Sequence, residues 1–301
     1  MNLCEGRVAI VTGAARGLGR AHALAFAAAG AAVVVNDYGV ALDGTGADTG
    51  PAQQVVDEIV AAGGQAVANA DDVADWAGAE RLVRTAIDTF GRLDVLVNNA
   101  GFLRDRMLAN LGEDEWDAVI RVHLKGHFAP MRHAAAYWRA ESKAGRQPDA
   151  RVVNTSSGAG LLGSIGQGNY AAAKAGIAAL SIVAAAEFAR YGVTVNAIAP
   201  AARTRMTEQT FADTMAAPQD GGFDEMAPEN VSPLVVWLGS AESRDVTGRV
   251  FEVEAGRITV ADGWRHGPSV DKGDRWDAAE LGPVVGKLLA EAAAPEPVYG
   301  A

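Results

Sequence analysis

The sequence predicts an α/β protein built on one doubly wound, mostly parallel sheet, and three observations carry that prediction. Short apolar runs such as VAIVTG, AVVVND and DVLVNNAG recur along the chain. Longer Ala-rich or amphipathic stretches separate them at a regular beat. The 35 glycines provide for many tight strand–helix turns. Runs that are apolar without alternation belong to strands buried on both faces, which is the situation of parallel strands covered by crossover helices.

Taken in order, VAIVTG (8–13) is the first strand and RAHALAFAAAG (20–30) an Ala-rich helix. AVVVND (32–37) is the second strand, followed by PAQQVVDEIVAAGG (51–64), a helix closed by glycine. AVANADDV (66–73) reads as the third strand, AERLVRTAIDTFG (79–91) as a helix and DVLVNNAG (94–101) as the fourth strand. A helix around 113–140, the strand RVVNTSS (151–157), a helix from about 168 to 190 and the strand VTVNAIAP (193–200) continue the alternation. RVFEVEAG (249–256) is the last strand expected.

At 301 residues the chain is long for one sheet-based domain and short for two. One domain over 1–264 is expected, with an extension over 265–301 that docks on this or a neighbouring subunit. Within the domain, 203–230 is rich in Thr, Met, Pro and Gly and breaks the periodicity, as substrate lids do. The net charge of −11 argues against nucleic-acid or anionic-membrane partners but leaves room for an anionic small molecule. Cys4 is the single cysteine, so no internal disulfide forms, and no catalytic role is expected of it. The chain runs into its first strand without the basic and apolar regions of a signal peptide, and the longest apolar runs are too short to span a bilayer. A soluble, cytoplasmic protein is expected.

TGAARGLG (12–19) lies between the first strand and its helix. Gly13, Gly17 and Gly19 there let the backbone approach a pyrophosphate, and Arg16 and Leu18 fill the loop around them. The helix start offers free N–H groups and the positive end of its dipole. Asp37 closes the second strand, where a carboxylate accepts hydrogen bonds from ribose hydroxyls and repels a 2′-phosphate. Arg16 points the other way, as a possible partner for such a phosphate. Asp37 is expected to prevail, making NAD the cofactor rather than NADP.

Tyr170 and Lys174 in YAAAK stand one helical turn apart on the same face. Moving a hydride between a carbinol and nicotinamide needs a base for the hydroxyl proton and a donor for the oxygen. A tyrosine is a poor base at neutral pH unless a cation favours its phenolate, and Lys174 is placed to supply one. TGAARGLG, NNAG (98–101), Ser157 and YAAAK, in that order, resemble the short-chain dehydrogenase/reductase family, whose members have the Rossmann fold. The likeness covers the chain to about residue 264. It implies that Ser157, rather than Ser156, binds the substrate oxygen, and that Lys174 also holds the nicotinamide ribose. It further implies that Asn99, Ala100 and Gly101 line the adenosine side of the cofactor, and Asp71, Asp72 and Val73 the adenine edge. Pro200, Ala202, Arg203, Thr204 and Arg205 are expected near the nicotinamide and pyrophosphate. Ala201 replaces the usual glycine after that proline, which puts the loop conformation in question, because alanine tolerates positive φ poorly.

In the segment RVHLKGHF (121–128), His123 stands where the family carries a catalytic asparagine. The asparagine's role is assigned to its main-chain carbonyl, which survives the change, so activity is expected to persist. Histidine also titrates near neutrality and is a candidate proton relay. No metal site is expected, since no Asp, Glu or Cys joins His123, His127 and His133 as a convincing ligand. VVVNDYG and the insert after it (40–50), together with NNAGFLRDRM, EDEWDAVIRVHLKGHF and GQGNYAAAKAG, resemble one branch in particular. That branch is the (3R)-hydroxyacyl-CoA dehydrogenase region of the peroxisomal multifunctional β-oxidation enzyme and its stand-alone bacterial relatives.

The resemblance implies oxidation of a 3-hydroxyacyl-CoA, including ones with steroid-like acyl chains, by a homodimer or homotetramer. Arg104 and Arg106 are candidates for the CoA phosphates, and Met206, Met215 and Met226 for an apolar lid. Competing expectations are a hydroxysteroid dehydrogenase working without CoA, an acyl-carrier-protein ketoreductase, and a non-catalytic NAD-binding regulator. Asp37 and the acidic balance oppose the ketoreductase, and the intact Ser157, Tyr170 and Lys174 oppose the regulator.

Overall fold

The computed structural model describes residues 2–39, 50–204, 217–218 and 222–300. Most of the insert after the second strand, and Arg205, Met206 and Met215 of the expected lid, lie outside the described residues. The sheet has eight strands: β1 (Val8–Thr12), β2 (Ala32–Asn36), β3 (Gln65–Asn69), β4 (Val95–Asn98), β5 (Ala150–Thr155), β6 (Val193–Ala201), β7 (Val250–Glu254) and β8 (Arg257–Ala261). Their order is β3-β2-β1-β4-β5-β6-β7-β8, parallel throughout except that β8 runs antiparallel to β7. Helices flank it: α1 (Gly17–Ala28), α2 (Gly50–Ala61), α3 (Trp76–Phe90), α4 (Glu113–Ile120), α5 (Gly126–Lys143), α6 (Gly158–Leu162), α7 (Gly168–Phe188), α8 (Ser232–Gly239) and α9 (Leu281–Glu291).

Alternate residues of the central strands feed two cores, one on each face. Ala9, Val11, Val33, Val35, Val95 and Val97 pack with Phe26, Ile59 and Leu238 on one side. Val8, Ile10, Val34 and Leu96 pack with Leu82, Met131 and Trp138 on the other. This is why the strands read as continuous apolar runs; each Val, Leu, Ile, Phe or Met among them contributes roughly 1.5–3 kcal/mol on burial. Helix α7 is long and apolar enough to cross a membrane, but Ala173, Lys174, Ile177, Ser181 and Ala185 along it are buried within the fold.

The order reverses beside β1, which pairs with β2 on one side and β4 on the other. Such a switch point opens a crevice at the carboxyl ends of the strands, and ligands bind there.

Several elements depart from the sequence expectation: β3 ends at Asn69 rather than at 73, β4 at Asn98 rather than at 101, and α8 was not foreseen. The helix expected over about 113–140 is two helices joined by a π-helical turn, Arg121–Lys125, centred on His123. Periodicity cannot register one extra residue in a turn, and such bulges cluster at functional sites. The fifth strand ends at Thr155 rather than at 157, and Ser157 instead caps the short helix α6. An eighth strand follows β7 across the Ala255–Gly256 turn; as an exposed edge strand it lacks the apolar run that marks the others. Beyond β8 the chain is almost wholly exposed until its end returns to the body, where Tyr299 bridges Ser164.

Candidate active site

The glycine loop is shaped by close approaches. Gly13 (φ +63°) lies so near the β4 loop that a Cβ there would sit 2.8 Å from Ala100 Cα, and a Cβ on Gly19 would meet the Gly13 carbonyl at 2.1 Å. Gly17 adopts φ +52° and faces Thr204, which brings the segment after β6 to the loop as expected. Arg16 caps α1 without any side-chain hydrogen bond to the helix start and is exposed, whereas Leu18 packs into the core beneath. The amide end of α1 therefore carries no side-chain cap, the arrangement that receives a pyrophosphate. Asp37 faces the same loop: its carboxylate accepts the Ala15 N–H at 3.0 Å and the Gly39 N–H at 2.8 Å. These features fit a dinucleotide.

NNAG serves the loop through hydrogen bonds. The Thr12 hydroxyl accepts the N–H groups of Asn99 (2.9 Å) and Ala100 (3.1 Å), and Asn99 Nδ2 donates to the carbonyls of Thr12 and Gly13. Thr12, the first residue of the glycine motif, is thus a site residue to which the sequence reading gave no role. Asp71 pairs with Arg81 at 2.6 Å and Asp72 with Arg121 at 2.5 Å, while Val73 is buried against Gly126. The side chains of these three brace the crevice wall. Pro200 and Ala201 continue β6 in register with Val253 and Glu254, and Ala202 is buried. Ala201 is extended strand, so the missing glycine causes no strain; Ala255 is the non-glycine residue at positive φ among the described residues.

At the carboxyl end of β5 and the start of α7, Ser157, Tyr170 and Lys174 come together. Tyr170 and Ser157 share a side-chain hydrogen bond, and the Ser157 hydroxyl also accepts the Ala159 N–H at 3.2 Å. Lys174 Nζ donates to the Thr155 carbonyl at 2.7 Å and lies 5.4 Å from the centre of the Tyr170 ring. Ser156 is turned away, its hydroxyl donating to the Lys174 carbonyl at 2.8 Å, which favours Ser157 on geometry. Burial pulls the Lys174 pKa down to about 7. Burial also raises that of Tyr170; the Ser157 hydrogen bond opposes this and Asp105 adds to it. The spacing led us to expect a cation that lowers the tyrosine, but burial dominates for both groups.

Asn169 and Asp105 were not legible as site residues. Asn169 is fully buried; its Nδ2 donates to the carbonyls of Arg104 and Glu115, and its Oδ1 accepts the Tyr170 N–H at 2.8 Å. It thereby locks the start of α7 to the segment after NNAG. Asp105 accepts from Gln167 Nε2 at 2.9 Å. Arg106 is held by both carboxylate oxygens of Glu115 at 2.9 Å, and Arg104 lies over the Phe102 ring.

His123 is buried beside this group, its ring edge-on to Tyr170 at 5.2 Å. Burial, aided by the Lys174 charge, pulls its pKa down to about 3. His127 is held well below its usual range by burial and by the Lys174 charge. His133 instead meets the Trp76 ring edge-on at 4.6 Å.

A short chain dehydrogenase family profile matches residues 7–215. Hydroxyacyl-CoA dehydrogenase ChsB1 of Mycobacterium tuberculosis is 48% identical over 290 residues, which span 92% of this chain and 86% of that protein. Peroxisomal multifunctional enzyme type 2 of mouse is 45% identical over 254 residues, 84% of this chain but 32% of that much longer protein. A crystal structure of a short chain dehydrogenase from Mycobacterium avium superposes with a TM-score of 0.90 at 67% identity, covering 99% of this chain and all of that one. The chain is an oxidoreductase that uses a nicotinamide cofactor, and it belongs to the short-chain dehydrogenase family.

Proposed function

We propose that the protein is an NAD-dependent dehydrogenase that interconverts the hydroxyl and ketone of a 3-hydroxyacyl-CoA, including ones with bulky, ring-bearing acyl groups. The observation that carries this is the cluster of Ser157, Tyr170 and Lys174 beside a glycine cradle faced by Asp37, in a chain similar to ChsB1 over most of both lengths. When bound, the nicotinamide accepts or returns the hydride. In oxidation the Tyr170 oxygen takes the hydroxyl proton while the Ser157 hydroxyl holds the substrate oxygen. Lys174, tied to the Thr155 carbonyl, lies 5.4 Å from the centre of the Tyr170 ring, where its protonated form would favour the phenolate against the burial that raises it. The raised pKa of Tyr170 keeps it in its acid form at neutral pH, the form that protonates an oxygen during reduction. Oxidation is accordingly expected to quicken as pH rises.

Asp37 supports NAD over NADP, since a 2′-phosphate would sit against its carboxylate. The cytoplasm is the proposed location, and a homodimer or homotetramer the proposed assembly. The test is a panel of 3-hydroxyacyl-CoAs and free hydroxysteroids with NAD and NADP, followed through absorbance of the reduced cofactor. Turnover of CoA thioesters with NAD is expected. Turnover confined to free alcohols would overturn the CoA assignment. Tyr170→Phe should abolish turnover while keeping cofactor binding.

A further inference from the structure

The chain's last residues come back to the active-site end of the sheet. Ile165 N–H donates to the Tyr299 carbonyl at 3.0 Å and Tyr299 N–H to the Gly163 carbonyl at 3.2 Å, forming a parallel bridge at Ser164. A little further along, the same segment pairs with the piece after NNAG, where Arg106 N–H donates to the Gly166 carbonyl at 2.7 Å. Three pieces of chain, 104–108, 163–168 and 298–300, are thereby linked at the rim. The middle one joins the helix capped by Ser157 to the helix that carries Tyr170.

The rim is apolar and open. Met107, Leu108, Ile165, Val298 and Tyr299 are each at least 40% exposed. Glycines seat them: a Cβ on Gly168 would lie 2.8 Å from Leu108, one on Gly163 would lie 3.3 Å from Val298, and one on Gly158 would lie 2.8 Å from the Tyr299 hydroxyl. Gly158 directly follows Ser157. Almost everything between β8 and Val298 is exposed, so 298–300 is where the extension holds the body. A soluble protein that leaves apolar side chains contiguous and open keeps them for a partner or ligand. Here Tyr299 lies against Gly158, the residue after Ser157, and Leu108 against Gly168 at the start of the helix that carries Tyr170, which selects the substrate as the occupant. The tail also lies outside residues 7–215, the part that matches the family profile.

We propose that Val298 and Tyr299 are specificity-determining residues, forming a C-terminal clamp that contacts the apolar acyl portion of the substrate beyond its carbinol. This rests on the hydroxyacyl assignment above. It is tested in the full-length protein with Tyr299→Ala, with truncation after Pro297, and with Tyr299→Phe as the conservative variant. Steady-state kinetics with NAD on 3-hydroxybutyryl-CoA and on a long or ring-bearing 3-hydroxyacyl-CoA give the ratio of kcat/KM between the two. That ratio should fall about tenfold in the first two variants, chiefly through KM for the larger substrate, and survive in Tyr299→Phe. NADH affinity, read by fluorescence titration, should be retained, which shows that the body is folded. A ratio within about twofold of wild type in both variants overturns the clamp. So does equal loss on both substrates, or a change of oligomeric mass with the ratio intact, which would make the rim a subunit contact. If the wild type oxidises only free alcohols, the hydroxyacyl assignment fails, and the same ratio between a small and a bulky free alcohol still decides for or against the clamp.

Discussion

The Nε2 atom of His123 lies 2.7 Å from the main-chain oxygen of Phe102. The same nitrogen is 3.1 Å from the Phe102 N–H, and Nδ1 has no partner among the described residues. With its pKa near 3 the ring is neutral, and its Nε2 serves the Phe102 backbone as donor to the carbonyl in one tautomer and as acceptor of the N–H in the other. His123 therefore ties the segment after NNAG to the π-helical turn and presents its edge to Tyr170. This geometry suits a brace beside the tyrosine.

His123→Asn should expose this. The shorter amide cannot span to Phe102, so a buried Phe102 backbone group loses its partner and a gap opens beside Tyr170. A loss of about 1–3 kcal/mol in urea unfolding is expected. The rate should fall modestly while the pH profile keeps its shape. A profile that loses an ionisation near neutrality would restore the relay.

Gly101→Ala probes the same contact from the other side. A Cβ at 101 would sit 2.2 Å from His123 Cε1 and 2.8 Å from Nδ1, inside a packed site. Overpacking of this kind costs about 1–3 kcal/mol. His123→Ala removes the clashing ring, so the double variant should be more stable than the sum of the two losses allows. A double-mutant cycle measures this, and strict additivity would show that the ring moves aside freely.

The sheet and its parallel order were legible because burial on both faces writes itself into apolar runs. Gly13, Gly17, Gly19, Tyr170 and Lys174 were legible because their spacing is tied to one strand–helix turn or one helical turn, and Ser157 through the resemblance to the family. Contacts between segments distant in sequence leave no local pattern. Asn169 reaching Arg104 and Glu115, and Tyr299 reaching Gly163, depend on how separate loops lie side by side. The π-helical turn at His123 was hidden for a related reason, since one extra residue is accommodated within an unbroken helical stretch. Arg106 looked available for phosphate because a sequence does not show that Glu115 already holds it.

Asp37→Ser should change cofactor preference. The carboxylate removed is the one that faces the glycine loop at Ala15 and Gly39, and exposed Arg16 stands on that loop. Without the repulsion, a 2′-phosphate can pair with Arg16. The ratio of kcat/KM for NADP over NAD should rise about tenfold or more, roughly 1.4 kcal/mol. An unchanged ratio would mean that Asp37 serves only to hold the loop.

Asp105→Asn should move the pH profile of oxidation. Burial raises the Asp105 pKa and the Gln167 hydrogen bond opposes it, and the charge of Asp105 in turn raises Tyr170. The amide keeps the shape and an oxygen for Gln167 but loses the charge. The tyrosine then ionises more readily, so the rise of kcat with pH should begin at lower pH. A shift to higher pH would contradict the assignment of Tyr170 as the titrating base.

Lys174→Met should abolish turnover and yet gain stability relative to wild type as pH falls. Lys174 is 2% exposed, and burial takes its pKa from 10.5 down to about 7. The folded form thus holds its proton less tightly than the unfolded chain. Between these two values the unfolded chain binds the proton and the folded one does not, so wild-type stability rises with pH across that window. Below pH about 7 both forms are protonated and the folded protein carries the whole cost of a buried charge. Methionine keeps the apolar stem and removes the charge, but leaves the Thr155 carbonyl without its 2.7 Å donor, a loss that does not vary with pH. The difference in unfolding free energy, variant minus wild type, should therefore be larger at about pH 6 than at about pH 9, changing by up to about 1.4 kcal/mol per pH unit within the window. Urea titrations at the two pH values measure it. A difference independent of pH would mean that the ammonium is solvated and keeps its ordinary affinity for the proton.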